Sequence, residues 1–120
     1  MLVKNPILKG FHPDPSILRV GEDYYIANST FEWYPGVRIY HSRNLADWEL
    51  AGMPLDRTAL LDMTGVNASD GIWAPCLSWS GGWFYLIFTV VHTSHQYAMF
   101  DTPNYVTRAR KIEGPWEEPV

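Results

Sequence analysis

Pro15-Ser16-Ile17-Leu18 returns 60 residues later as Pro75-Cys76-Leu77-Ser78, and Tyr24-Tyr25-Ile26 returns at an offset of 61 as Tyr85-Leu86-Ile87. Ser42-Arg43-Asn44-Leu45 is echoed at an offset of 67 by Ala109-Arg110-Lys111-Ile112, and Trp48 at 68 by Trp116. The offset grows across His92 to Asn104, where the second copy carries a longer loop. A chain built twice from one unit must fold as two like elements that bury their faces against each other or against further copies.

The unit is β rather than helical. Nine glycines and nine prolines punctuate the chain, and no window of a dozen residues free of them holds a 3.6-residue apolar period. Short β-branched and aromatic runs between turn residues predict strands at Ser16 to Val20, Tyr24 to Asn28, Val37 to Ser42, Cys76 to Ser80, Trp83 to Val91 and Tyr105 to Arg110, with weaker ones around Trp48 and Trp116. Gly21-Glu22-Asp23 and Gly81-Gly82 read as hairpin turns, where glycine supplies the positive φ of tight loops. Each copy then holds a short strand, a hairpin to a longer strand, a third strand, and a fourth opened by a tryptophan. One four-stranded antiparallel sheet per repeat is the arithmetic of a β-propeller blade, and closure takes at least about four blades. The expectation is an all-β chain of two such blades, about 14–52 and about 74–120, forming the N-terminal part of a larger protein. A single β-sandwich of about eight strands is the alternative.

Composition excludes several functions. Hydrophobic residues make up 47% and charged residues 18%, so the chain is not disordered. A net charge of -4 without basic runs offers nothing to a phosphate backbone, which argues against nucleic acid as a partner. The longest apolar run, Trp83 to Val91 interrupted by Thr89, is about half a bilayer crossing, so no membrane partner is expected. Met1 to Pro6 contains no signal-peptide core, and the single Cys76 cannot form an internal disulfide; both fit a cytoplasmic protein.

In a propeller the first strand of each blade lies nearest the axis, so residues just before those strands gather at one end of the channel. Asp14 precedes the first and Ala74 holds the equivalent place in the second copy. Repeat logic therefore brings Asp14, Trp73 and Ala74 to one pocket. Asp14 stands between Pro13 and Pro15, each fixing its own φ and biasing the residue before it towards extended geometry. Such an aspartate is held stiffly, either as a turn residue capping backbone N–H groups or as a working carboxylate.

The run from Asn5 to Ile17 containing Phe11-His12-Pro13-Asp14-Pro15-Ser16, with Ser29-Thr30-Phe31-Glu32-Trp33-Tyr34-Pro35-Gly36, Gly71-Ile72-Trp73-Ala74-Pro75 and Gly114-Pro115-Trp116, resembles the start of glycoside hydrolase family 43. The likeness is strongest to its β-xylosidases, some of which also remove α-L-arabinofuranosyl units, and it runs from Asn5 to the last residue. It implies a five-bladed propeller of an inverting, exo-acting enzyme that cleaves β-1,4-linked xylosyl units from short xylo-oligosaccharides without a cofactor or metal. It also implies roles: Asp14 as general base, Trp73 and Ala74 as the apolar wall around the sugar, and Phe31 as an aromatic of the same subsite. Trp33 is a further candidate for sugar contact, and His12 for a hydrogen bond to Asp14 or to a hydroxyl. Trp48, Trp83 and Trp116 are assigned to strands. The general acid, a Glu, and a second Asp are expected beyond Val120; none of Glu32, Asp70, Asp101, Glu113, Glu117 or Glu118 sits in a matching motif. The 120 residues alone are therefore expected to be inactive, and to need the remaining blades or neighbouring chains for closure.

Four histidines raise a metal site, but His92 and His95 follow a strand with no third ligand near, and a loop on the pocket side is the expectation there. Asn28-Ser29-Thr30 and Asn67-Ala68-Ser69 match the glycosylation pattern by chance. The rival function is a carbohydrate-binding or interaction propeller that does no hydrolysis, for which a rigid, proline-flanked carboxylate has no use.

Overall fold

The computed structural model describes residues 2–94 and 99–120. Eight strands follow in order: β1 (Ser16–Val20), β2 (Asp23–Asn28), β3 (Arg38–Ser42), β4 (Glu49–Gly52), β5 (Gly71–Ser80), β6 (Trp83–Ser94), β7 (Met99–Asp101) and β8 (Asn104–Ala109). No helix occurs among the described residues. All pairings are antiparallel. The first sheet is a meander, β1-β2-β3-β4; in the second, β6 pairs with β5 on one side and β8 on the other, while β7 pairs with the far end of β6.

The hairpins close where glycine permits it. Val20 pairs with Asp23 around Gly21 at φ +62°, and Ser80 pairs with Trp83 around Gly81 and Gly82 at φ +56° and +79°. Positive φ at both central residues, as in Gly81-Gly82, is what a two-residue type I′ turn requires, and glycine at the first central position alone, as in Gly21-Glu22, suits type II′.

Burial alternates along β6, with Phe84, Leu86, Phe88 and Val90 inside and Tyr85, Ile87 and Thr89 less covered. These join Ala27, Val37 and Ile39 of the first sheet side and Leu55, Leu60 and Leu61 of the linking segment in one apolar cluster. Tyr25 meets Phe84 edge-on across the sheets at 5.2 Å between ring centroids. The Ser16 hydroxyl accepts the Leu77 N–H at 3.1 Å, tying β1 to β5.

The repeat is visible in detail. Trp48 donates its indole N–H to Leu45 O at 3.1 Å, and Trp116 does the same to Ile112 O at 3.2 Å, matching the offsets of the two copies. Both indole N–H groups are thus given to the chain itself, and Trp83 lies under the guanidinium groups of Arg108 and Arg110, 4.5 and 3.8 Å from its ring centre.

Three expectations need correction. The segment around Trp116 is not a strand; Trp116 is buried instead, and only its followers join the sheet edge, through Glu117 N–H to Arg108 O at 3.0 Å and the reciprocal Val106 and Val120 bonds at 2.9 and 3.0 Å. His92 to Ser94 are not loop, because β6 runs on through them to pair with β7; His95 lies outside the described residues. The second sheet opens at Gly71, ahead of 74, since Gly71, Ile72 and Trp73 already pair with β6.

Asp70, at the entry to β5, is buried, and its Oδ2 accepts from Thr93 N–H and Thr93 Oγ1, both at 2.8 Å, and from Asn67 Nδ2 at 3.3 Å. Burial alone would raise this carboxyl, but those donors outweigh it and hold the group below the ordinary aspartate range. A depressed folded pKa adds stability that is complete above the unfolded value and is lost as pH falls through the folded one. Asp70→Asn is therefore expected to destabilise the protein by about 1–3 kcal/mol at neutral pH. In urea unfolding at about pH 6 and about pH 2.5, the gap between variant and wild type narrows at the lower pH. A gap independent of pH would mean that the anion contributes nothing.

Candidate active site

The turn before β1 is built around one carbonyl. Pro13 O accepts the Ser29 N–H at 3.1 Å and Asn28 Nδ2 at 3.1 Å, with the Ser29 hydroxyl 3.3 Å away. Ser29 Oγ also reaches the Asp14 carboxylate at Oδ2, the closer of its two acceptors, and a hydroxyl has one proton to give. Asp14 is exposed, with Oδ2 tethered and Oδ1 without a hydrogen-bond partner among the described residues.

Asp14 does not take the extended geometry expected of a residue before proline. Its φ is +49°, and Ala74, also followed by proline, has φ +34°. Left-handed backbone is costly for residues other than glycine, least so for Asp and Asn. Two equivalent positions in two copies share the same strained conformation, and at Ala74 it coincides with a register shift of β5 against β6 between Trp73 and Cys76. Phe31, at φ +49°, is a third such residue. Strain of this kind persists only where surrounding contacts over-determine it.

Those contacts join the two sheets. Phe31 and Ile72 exchange backbone hydrogen bonds, Phe31 N–H to Ile72 O at 3.0 Å and Ile72 N–H to Phe31 O at 2.9 Å. The approach is close because Gly71 has no side chain: a Cβ there, at φ +84°, would lie 2.3 Å from Phe31 O and 2.7 Å from Met63 Cε. The Phe31 and Trp73 rings then meet edge-on at 6.2 Å and 67°, and Phe11 also meets Phe31 edge-on, at 5.4 Å. Trp73 is half-buried with its indole N–H given to Ser69 O at 2.8 Å.

The structure thus brings Phe31 and Trp73 into contact and ties Asp14 to Ser29, two residues before Phe31 in the chain. Trp33 is 63% exposed and lines a separate hollow of about 440 Å³ with Phe11, Thr30 and Arg38. His12 does not hold Asp14. Its Nε2–H donates to Lys9 O at 3.0 Å and its ring stands edge-on to Tyr40 at 5.2 Å.

Sequence reasoning missed Ser29 and Asn28, the residues that secure the Asp14 turn. Their signal was a run of three small polar residues, Asn28-Ser29-Thr30, ending a strand; all three are buried, which also rules out Asn28 as a glycan acceptor in the folded chain. Gly71, the first residue of β5, was likewise unread, although a glycine within a strand is a cue for close backbone approach.

Two antiparallel sheets that share one apolar cluster and are joined through the Phe31–Ile72 backbone pair define an all-β protein of stacked sheets. Residues 3–120 match the family model of the glycosyl hydrolases family 43, and the chain belongs to that family. It is 63% identical over 118 residues to a xylosidase/arabinosidase of Humicola insolens and 54% identical over 120 residues to a β-xylosidase of Bacillus subtilis. These alignments take in 98% and 100% of this chain but 22% of each relative, so the chain spans about a fifth of their length. The crystal structure of a xylan β-1,4-xylosidase from Bacillus halodurans superposes with a TM-score of 0.94 at 60% identity, over 99% of this chain and 23% of that one.

Proposed function

We propose that the full-length protein is an inverting, exo-acting glycoside hydrolase that removes β-1,4-linked xylosyl units from short xylo-oligosaccharides, with α-L-arabinofuranosyl units as a second substrate class. The observation that carries this reading is Asp14: an exposed carboxylate on a strained, triply anchored turn, tethered through one oxygen to Ser29, which stands two residues before the Phe31 that meets Trp73. Relatives with xylosidase and arabinofuranosidase names support the substrate class.

In this reading the free oxygen of Asp14 takes a proton from water as that water attacks the anomeric carbon. A carboxylic acid supplied by the rest of the protein, about 6.5–9.5 Å from Asp14, protonates the departing oxygen from the opposite face. Trp73, Ala74 and Phe31 form the apolar wall against the C–H face of the sugar, and Trp33 lies at its outer edge. The exposed Ile17, Ile87 and Trp79 suit cover by the remaining blades of a propeller, of which these two sheets are the first two.

Trp73→Ala in the full-length protein tests the wall. Losing the ring is expected to raise KM and lower kcat together, reducing kcat/KM at least about tenfold on p-nitrophenyl β-xyloside. Unchanged kinetics would place Trp73 in the core and remove it from the subsite.

A further inference from the structure

Glu32 lies between Phe31 and Trp33, partly covered, and the function proposed above gives it no work. Its carboxylate turns away from its own sheet to the loop that leads into β5, where Oε2 accepts the Ser69 N–H at 3.0 Å. Ser69 holds φ +68°, left-handed for a residue with a side chain, and its carbonyl is the acceptor of the Trp73 indole N–H at 2.8 Å. One side of this turn is secured by Asp70, which is bound to Thr93 and Asn67. The other side is secured by Glu32. Released from the carboxylate, Ser69 can relax towards an ordinary φ, and its carbonyl then swings off the indole. The Trp73 ring would be left with its edge contact to Phe31 but without the hydrogen bond that sets its tilt.

We propose that Glu32 is a positioning residue for the sugar-binding wall: through Ser69 it fixes the angle at which Trp73 meets the substrate. The proposal rests on the reading of Trp73 as part of the subsite. It assigns Glu32 a role as hydrogen-bond acceptor and none in proton transfer, so an amide in its place serves nearly as well, because a glutamine carbonyl still accepts the Ser69 N–H.

The test compares Glu32→Ala and Glu32→Gln in the full-length protein. With p-nitrophenyl β-xyloside, Glu32→Ala is expected to raise KM about tenfold with kcat within about threefold of wild type, and Glu32→Gln to stay within about threefold in both. The near-ultraviolet circular dichroism of Glu32→Ala differs from wild type, and the difference disappears when both proteins also carry Trp73→Phe. If the alanine variant does not fold, Glu32→Asp, which withdraws the carboxylate by one methylene, carries the same expectation. A kcat loss of about a hundredfold or more in Glu32→Gln would overturn the proposal by making Glu32 a proton-transfer group. Unchanged KM and unchanged dichroism in Glu32→Ala would overturn it by showing no link to Trp73. A dichroism change that Trp73→Phe cancels, with KM unmoved by Glu32→Ala and by Trp73→Ala alike, would sink the subsite reading and the proposed role with it, while leaving the link from Glu32 to Trp73 standing.

Discussion

Asp14→Asn in the full-length protein is expected to lower kcat by about 10²–10⁴-fold, the range that a positioned general base contributes. The amide matches the carboxylate in shape, and its oxygen can still accept the Ser29 hydroxyl, so the turn built on Pro13 O keeps its anchors. Asparagine also tolerates the left-handed φ of +49° as readily as aspartate does. Folding, followed by thermal unfolding, should therefore change little while turnover collapses. Proton NMR of the wild-type reaction gives the companion result: a base that activates water on the face opposite the leaving group releases xylose from a β-xyloside first as the α-anomer. A variant within tenfold of wild type, or the β-anomer appearing first, would remove Asp14 from the role of base.

Gly71→Ala is expected to cost about 2–5 kcal/mol of stability, from left-handed strain of about 1–2 and an overpacking clash of about 1–3. The clash is with backbone: the new methyl would sit 2.3 Å from Phe31 O, which cannot move without breaking its pair of bonds with Ile72. Phe31 shifts in consequence, and with it the edge contact to Trp73, so KM in the full-length protein should rise as stability falls. Gly65→Ala separates the two causes. Gly65 also has positive φ, +76°, but an added Cβ there meets nothing within 4 Å, so it carries the strain alone. Equal losses from the two variants in chemical denaturation would mean that the Phe31–Gly71 approach is looser than described.

Which parts were legible in advance follows from the range of the forces involved. β1 matches its expected bounds at both ends, and β2, β3 and β8 differ by single residues at their ends, because alternation and turn glycines act over a few neighbours. Trp116 misled because its position in the repeat equals that of Trp48, yet it is buried in the apolar cluster rather than set at a sheet edge; only Glu117 and Val120 make the edge bonds. His92 to Ser94 looked polar enough for a loop, but the partner that makes them strand, β7, is short and carries no strong pattern of its own. Asp14 was identified by its prolines and by resemblance, while the residue that tethers it, Ser29, stands fifteen positions away in a run that local patterning reads as an ordinary strand end.

By itself the sequence determined the all-β class, the two-fold repeat, the positions of β1, β2, β3 and β8 and the candidacy of Asp14, Phe31 and Trp73, since periodicity, turn chemistry and motif are all properties of adjacent residues. Only the tertiary structure decided that Ser29 holds Asp14, that Glu32 reaches Ser69, and that Phe31 touches Trp73 across Gly71. The same holds for the left-handed backbone at Asp14, Phe31, Ser69 and Ala74, which runs against each residue's own preference. Local sequence cannot signal a conformation that it disfavours. The two sheets impose it, because the burial of one shared apolar cluster and the hydrogen bonds between them outweigh the strain at each site.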